Sequence, residues 1–428
     1  MPQGLRSQAA GAVLVLAAAA VCAGLLALAL TLAPRDGIDF RVYVAGGQTV
    51  LKASGELYSV GIPNPPNPEL MFTYPPAAAL LFAVLAPFGD VVGFNIFFSI
   101  SLLLTALTAL WLVSFFSGAG SVRAVLKGFW LRPAVLVVFG LVAALGPWRD
   151  TLALGQVNII LFALVMVDFL NRNAQWPRGL LTGVAAGLKL TPLAFAVYFL
   201  IRGDWRGLRN MAFGFLATFG LGFLILPRES KIYWGELLPD TSRVGGGGYV
   251  DNLSLRGALL HFTGPGADVT LPWLLLCLGA AAAAGVVIRL ASLAGADLLA
   301  LGTAALFMLL ASPVSWSHHW VWIALLLPLT GAAVLGLRPE QTLLRITGWT
   351  LCAVTAAAFY LTPKGIGGLL GAQNLDSQAP EFWLMAASTG VFCGAGMLLW
   401  FLVVLWPHRP RGWWRAANLP RDIRVPRA

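Results

Sequence analysis

Charged side chains are scarce in this sequence. Asp, Glu, Lys and Arg make up 11% of the 428 residues, whereas hydrophobic residues make up 58% and the mean hydropathy is +0.80. A soluble domain needs far more polar surface than this composition supplies. The shortage of charge therefore excludes a soluble protein and predicts an all-α polytopic membrane protein.

Cysteine is equally rare, and the chain lacks the usual metal and nucleotide motifs. The four cysteines lie inside apolar runs without CxxC or CxxH spacing, which excludes a disulfide framework and a thiolate metal site. No Asp-x-Asp pair and no His/Asp cluster with ligand spacing is present, so we expect neither a metal nor another cofactor. The run Gly245–Gly248 has no following Lys-Ser/Thr and is not a P-loop. We expect it to be a flexible loop over a cavity.

Apolar runs account for most of the chain. We expect one integral membrane domain over residues 1–428 with about twelve transmembrane helices, two of them half-length. The expected segments are 11–33, 93–116, 133–146, 156–170, 179–188, 192–201, 208–226, 271–290, 298–311, 320–337, 344–361 and 382–406. Shorter helices are expected at 42–51 and 76–87, too short to cross and therefore juxtamembrane or re-entrant. The proline-rich stretch between them cannot be regular helix.

Basic residues sort to one side of this arrangement. With the N-terminus inside, most arginines and lysines fall in inside segments and most acids fall outside, which predicts that both termini are cytoplasmic. Residues 34–92 and 227–270 become extracytoplasmic loops. The basic tail at 407–428 becomes a cytoplasmic contact for anionic lipids rather than for nucleic acid. Every break in the apolar runs then faces outward, and this predicts a cavity that opens to that side.

Lys189 stands in the break between the two half-length segments. A lysine at membrane depth is costly unless an anion accompanies it. Thr191 can cap the second segment and Pro192 suits its first position, so a free helix N-terminus beside a cation predicts a phosphate site. The alternative is a structural ion pair with Asp150 or Asp168.

Two further breaks carry polar side chains. His318 and His319 are adjacent and would point about 100° apart on a helix, so we expect only one of them to face the cavity and to bind a phosphate or sugar. The alternative is a core histidine whose ring nitrogens are hydrogen-bonded within the protein and bind no substrate. The amides of Gln156 and Asn158 suit either sugar hydroxyls or helix capping. Arg149 is a second candidate cation for a phosphate.

Two carboxylates follow the first apolar run. Asp36 lies between Arg35 and Gly37, a setting that suits a turn and a local charge pair. Asp39 begins a more regular segment, and we expect it to cap that helix and so hold its carboxylate in place. The alternative is that this stretch is an ordinary juxtamembrane loop, charged because it is exposed to solvent.

Five motifs occur in order along the chain. They are Asp39-x-x-Val42-Tyr43, Tyr74-Pro75-Pro76, Gly155-Gln156-x-Asn158, Gly187-x-Lys189-x-x-Pro192 and Ser312-Pro313-x-Ser315-Trp316-x-His318-His319. Together they resemble the actinobacterial polyprenyl-phosphate-mannose-dependent mannosyltransferases, which have the GT-C fold. A sixth stretch, Asn252 to Gly257, resembles a loop motif of the family, although Leu253 stands where the motif has a polar amide.

The resemblance implies an inverting transfer on the extracytoplasmic face of the plasma membrane. Mannose would leave a polyprenyl phosphate without the help of a metal and form an α-1,2 linkage on a phosphatidylinositol mannoside. Asp39 matches the family's general base, and an acceptor hydroxyl does need a carboxylate within hydrogen-bond reach. The other implied substrate-binding positions are Asp36, Tyr43, Tyr74, Arg149, Asp150, Gln156, Asn158, Lys189, Asn252, Arg256, His318 and His319. A paralogue that acts on lipomannan or lipoarabinomannan is the close alternative, and a lipid or sugar transporter is the alternative of another class.

Overall fold

Helices form nearly all of the computed structural model. It describes residues 3–33, 35–64, 67–119, 121–170, 176–240, 243, 245–264, 266–362, 365–366 and 386–409. The α-helices are α1 Gln3–Leu32, α2 Ile38–Leu51, α3 Pro76–Ala83, α4 Gly89–Phe116, α5 Val122–Lys127, α6 Leu131–Ala144, α7 Gly146–Leu154, α8 Asn158–Leu170, α9 Leu180–Leu188, α10 Ala196–Arg202, α11 Trp205–Ile225, α12 Pro227–Ile232, α13 Leu255–Thr263, α14 Thr270–Leu293, α15 Asp297–Ala311, α16 Ile323–Leu335, α17 Thr342–Leu361 and α18 Thr389–Leu405. Shorter turns of 3₁₀ helix span Ala86–Phe88, Thr191–Phe195, Ser317–Trp322 and Trp406–His408, and a π-helical turn spans Tyr233–Leu237.

Long apolar helices make this a membrane protein. Within the described ranges, seven helices are long and apolar enough to cross a membrane, or eight if the bent pair α6 and α7 counts as one span. Three shorter apolar helices accompany them, at Asn158–Leu170, Thr191–Arg202 and Asp297–Ala311. Twelve crossings therefore remain a prediction. The start of the last expected segment and most of the basic tail, 410–428, lie outside the described residues.

Two elements differ from the sequence expectation. Residues 61–71, expected only to be non-helical, form an antiparallel hairpin of β1 Gly61–Asn64 and β2 Asn67–Met71, in which Gly61 pairs with Met71. Both strands are edges, and edge strands tolerate proline. The connection after α6 is not a simple turn, because it contains the helix α7, bent by 71° from α6. Gly155, with φ of 73°, ends α7 in the left-handed conformation.

Glycines bring α9 and α11 into close contact. A Cβ atom at Gly183 would lie 2.0 Å from the carbonyl oxygen of Met211, and one at Gly214 would lie 2.2 Å from that of Leu180. Such small-residue stripes let helix backbones approach closely, where packing rather than hydrophobicity drives association in lipid. At the start of α9, the Asp168 carboxylate accepts hydrogen bonds from the Gly179 and Thr182 amides. The helix that ends at Lys189 is thus held along its length.

A buried ion pair ties the second half-length segment to the core. Arg202, at the end of α10, pairs with Asp297 at the start of α15 and donates a 2.6 Å hydrogen bond to Ser292. A charge pair with an added hydroxyl satisfies groups that would otherwise be costly to bury. Almost every residue of α15 is buried, so this helix forms the centre of the structure. Its far end, Ala311, opens into the functional cavity.

Candidate functional site

A cavity of about 1120 Å³ collects the breaks in the helices. Its walls come from α2, the segment before α3, the turn between α7 and α8, the end of α9, described residues between 233 and 251, and the break that follows α15. Six residues predicted from the sequence line it: Asp39, Tyr74, Gln156, Lys189, His318 and His319. Motifs that are up to 280 residues apart in the sequence thus meet in one place.

Lys189 contacts three of the side chains at the site. Its Nζ donates to Asn158 Oδ1 at 3.0 Å, lies 3.0 Å from His319 Nε2 and stands 5.4 Å from the centre of the Tyr74 ring. No ion pair joins it to Asp150 or to Asp168 in the described part of the chain. Asp168 caps the opposite end of the nine-residue helix α9, about 13 Å away at 1.5 Å per residue. The structural pairs expected as alternatives are therefore not formed.

The break at Lys189 differs from its predicted geometry. Thr191 does not cap the following segment, because the cap position is Leu190 and no side chain donates or accepts there. The segment begins as a 3₁₀ turn with Pro192 near its start, as expected for proline. Lys189 itself has an extended backbone, with φ of −151° and ψ of 126°, which ends α9.

The capping role predicted for Asp39 belongs to the other aspartate after α1. Asp36, not Asp39, makes the capping contact, because its Oδ1 accepts from the amide of Ile38 at 3.0 Å. Gly37 is the cap residue and Asp39 lies in the first turn of α2. Arg35 forms no local pair with Asp36; its guanidinium donates to Asn95 at 2.7 Å and covers the Phe98 ring. Asp36 is therefore an exposed capping residue, whereas Asp39 lines the cavity.

Two tyrosines and one amide form a compact network beside Asp39. The Tyr43 hydroxyl lies 2.9 Å from the Tyr74 hydroxyl and 2.9 Å from Gln156 Oε1, and the Tyr74 hydroxyl lies 3.2 Å from the same oxygen. Burial, followed by the negative charge of Asp39, raises the pKa of Tyr74, and burial likewise raises the pKa of Tyr43. Both hydroxyls thus stay protonated and available as donors. Tyr43 does not line the cavity but supports Tyr74 and Gln156, which do.

Both histidines line the cavity, contrary to the expectation that only one would. They lie at the start of the 3₁₀ turn Ser317–Trp322, which follows an extended Trp316. The two rings stand 4.8 Å apart at 83° to each other. The carbonyl oxygen of His318 accepts from Asn158 Nδ2 at 3.0 Å, so one asparagine orients both this turn and Lys189.

The remaining predicted residues do not line this cavity. The Arg149 guanidinium donates to the carbonyl of Tyr360 at 3.2 Å and lies 3.6 Å from Asp150, so it is a structural cation rather than a second phosphate ligand. Arg256 stands over the Trp273 ring. Asn252 is fully buried and accepts from the amide of Ser315 at 2.9 Å, which makes it a joint between two loops.

The cavity wall also contains residues to which the sequence assigned no binding role, among them Arg243, Tyr249, Asp251 and the motif residue Trp316. Arg243 donates to the carbonyl of Tyr58 at 3.2 Å. The first three belong to the loop around the glycine run. Their proximity to the site depends on tertiary pairing of that loop, for which spacing in the sequence gives no signal.

Among the residues that the structure describes, no group of three or more His, Cys, Asp or Glu side chains is placed to hold a metal ion. Metal independence itself remains a prediction.

Comparison with known proteins finds one family model, whose match includes Lys189 but not Asp39 or His319. Glycosyltransferase family 87 matches residues 72–313. A polyprenol-phosphate-mannose-dependent alpha-(1-2)-phosphatidylinositol mannoside mannosyltransferase of Mycobacterium tuberculosis is 36% identical over 296 residues, 67% of this chain and 68% of its own. A polyprenol-phosphate-mannose-dependent alpha-(1-2)-phosphatidylinositol pentamannoside mannosyltransferase of Mycolicibacterium smegmatis is 34% identical over 327 residues, 74% of each chain. No solved structure matches this chain.

Proposed function

The chain belongs to glycosyltransferase family 87, and from that premise we propose that it moves mannose from a polyprenyl phosphate to a phosphatidylinositol mannoside in an α-1,2 linkage. The observation that carries this proposal is the meeting of the Asp39 carboxylate with the Lys189–His319–Asn158 cluster in one cavity. Such a cavity offers a base and a cation together, which a transfer from a phosphate requires. The relatives named as mannosyltransferases favour transfer over transport.

Asp39 is the general base of the proposed reaction. It takes the proton of the acceptor hydroxyl as that oxygen attacks C1 of the donor mannose. The bond from C1 to the phosphate oxygen breaks at the same time, so the configuration inverts from β to α. The electron pair leaves on the polyprenyl phosphate.

Lys189, His319 and Asn158, together called the Lys189 corner, stabilise that leaving group. The ammonium can donate only, so it donates to His319 Nε2, and the His319 proton then sits on Nδ1. His319 Nδ1 is buried without a hydrogen-bond partner in the described part of the chain. A cation and a ring N–H donor fixed beforehand cost little reorganisation when charge develops on the phosphate. Because these groups supply the positive charge, we propose that no metal takes part.

The wider architecture follows from the same proposal. A GT-C arrangement of about twelve spans, with both termini inside, places the cavity on the extracytoplasmic side of the plasma membrane. The seven long helices and the position of the half-length pair support it. The loops at 34–92 and 227–270, which contribute to the cavity wall, then lie on the outer face.

The test is a transfer assay. Purified protein in nanodiscs is incubated with radiolabelled polyprenyl phosphate mannose and a phosphatidylinositol mannoside, and the product linkage is determined. We expect an α-1,2-linked product that forms without a gradient. Absence of any labelled glycolipid, with gradient-dependent movement of the unmodified donor in liposomes, would replace the enzyme by a transporter.

A further inference from the structure

One wall of the cavity has a chemistry unlike that of the Lys189 corner. Tyr249 and Trp316 form an edge-to-face pair with ring centres 5.7 Å apart, and both rings line the cavity. The Asp251 carboxylate lines the same wall, although only 3% of this residue is exposed. The Ser317 hydroxyl donates to it at 3.0 Å. Two aromatic faces thus stand beside a buried, oriented carboxylate.

Hydrogen bonds within the loop at 249–253, to α13 and to the break after α15 hold this wall in place. The amide of Leu253 donates to the carbonyl of Ser315 at 2.7 Å, and the amide of Asn252 donates to the carbonyl of Tyr249 at 2.8 Å. A nitrogen of His261 lies 3.1 Å from the same Tyr249 oxygen. The loop that the sequence predicts to be flexible is therefore pinned to the Ser312–Ser317 break, and its aromatic ring is pre-positioned. Pre-positioned groups lose less entropy when a ligand binds.

A lipid-linked sugar substrate offers a phosphate, a lipid chain and a sugar ring, and the side chains of this wall suit only one of them. A phosphate is disfavoured beside Asp251, because the buried carboxylate would repel it. Arg243, the cation of the same loop, donates to the Tyr58 carbonyl and stands over the Tyr58 ring. An isoprenoid or acyl chain is disfavoured, because it would leave a buried carboxylate facing alkyl groups. A divalent ion is disfavoured, because no cluster in the described residues is placed to hold one. A neutral ring with an apolar face and several hydroxyls fits both the rings and the carboxylate.

We propose that Tyr249, Trp316 and Asp251 form a sugar-binding subsite, in which the rings pack on the C–H face of a mannose residue and the carboxylate accepts its hydroxyls. This subsite deepens the proposed function and rests on it for the identity of the sugar. The mannose belongs either to the donor or to the acceptor glycolipid, since both substrates carry one. Its role is ground-state binding, so the subsite governs KM more than kcat.

Kinetics of matched variants test the subsite and identify its occupant. Trp316→Leu removes the ring face and leaves a smaller apolar side chain, and Asp251→Asn keeps shape and removes charge. We expect each to raise KM for one substrate about tenfold, which corresponds to about 1.4 kcal/mol of binding, with kcat changed less than about threefold. An increase in the acceptor KM identifies an acceptor sugar, and an increase in the KM for polyprenyl phosphate mannose identifies the donor sugar. Trp316→Phe retains a ring and is expected to recover most of the loss.

Trp130→Leu is the control, because Trp130 is also one of an edge-to-face pair but lies exposed outside the cavity. It is expected to change neither KM. The proposal is overturned if Trp316→Leu and Asp251→Asn both leave the two KM values within about twofold of wild type, or if kcat alone falls.

A binding measurement separates this outcome from failure of the proposed function. Saturation-transfer NMR with methyl α-D-mannopyranoside requires no turnover. We expect a signal for the wild type and for Trp130→Leu, and its loss in Trp316→Leu and Asp251→Asn. An equal signal in all four proteins would reject the subsite, whether or not the wild type transfers mannose.

Discussion

Lys189 Nζ lies 3.0 Å from His319 Nε2, and Asn158 accepts from the same ammonium at 3.0 Å. These three residues come from three separate breaks in the apolar runs. A lysine at such a position is costly to retain unless it has an anion to bind. In the described part of the chain its ammonium is hydrogen-bonded to a histidine and an amide, and the Asp39 carboxylate of the same cavity interacts with its charge. An ammonium held by two neutral hydrogen-bond partners is suited to bind a phosphate.

Removal of the Lys189 charge tests this site. We expect Lys189→Ala to raise the donor KM or lower turnover by about 10–100-fold, because a hydrogen bond to a charged group contributes about 1.5–3 kcal/mol. Thermal stability in detergent reports whether the variant still folds. Lys52→Ala, an exposed lysine at the end of α2, is the matched control and should behave as wild type. Wild-type kinetics in Lys189→Ala would remove the phosphate role from this residue.

Activity in a chelator tests metal independence. We predict that excess EDTA leaves turnover unchanged, because protein cations neutralise the leaving phosphate. The assay is run on protein that was dialysed against chelator and then supplied with Mg²⁺ or Mn²⁺. Loss of turnover with recovery on addition of either ion would show that a metal supplies the positive charge instead.

Cysteine labelling tests the re-entrant interpretation of the half-length pair. Single cysteines at Arg178 and Arg206, in a background without the native cysteines, should react with an impermeant maleimide only from the cytoplasmic side. A cysteine at Lys52 should react only from outside. Labelling of Arg178 and Arg206 from opposite sides would mean that the segment between them crosses the membrane once.

The close approach of α9 and α11 predicts a stability effect. Gly183→Ala places a methyl group 2.0 Å from the Met211 carbonyl oxygen, so the helices must separate, and we expect a clear drop in Tm. Gly220→Ala, also in a helix but with open space around it, should be neutral or slightly stabilising. Equal Tm values for the two variants would contradict the packing.

Local signals in the sequence identified the pieces of this site but not its assembly. Lengths of apolar runs and the positions of prolines located most helices and the breaks around Lys189 and His318, because those features are local. They did not reveal α7, since a nine-residue helix between two bends has no periodic signal of its own. Nor did they distinguish the caps, because Asp36 and Asp39 are equally suited by type and only the backbone at Gly37 decides between them.

The sequence did not show which loop residues tertiary pairing brings to the cavity, although Trp316 stands in one of the five motifs. Trp316 and Asp251 reach the cavity because Asn252 and Ser315 join their loops, and that joint is formed by residues more than sixty positions apart. For the same reason, the sequence assigned Arg149 to the phosphate, although the backbone carbonyl of Tyr360 holds its guanidinium away from the cavity.

The central claim is that Asp39 is the general base, and comparison of Asp39→Asn with Asp36→Asn tests it most directly. Turnover and donor binding are measured for both variants in nanodiscs. A positioned base contributes about 10²–10⁴-fold in rate, so Asp39→Asn should lose at least about a hundredfold in turnover while it still binds donor. Asp36→Asn should lose far less, because an asparagine can still accept from the Ile38 amide. Near-wild-type turnover in Asp39→Asn would contradict this assignment. So would an Asp36→Asn variant that loses as much turnover as Asp39→Asn or more.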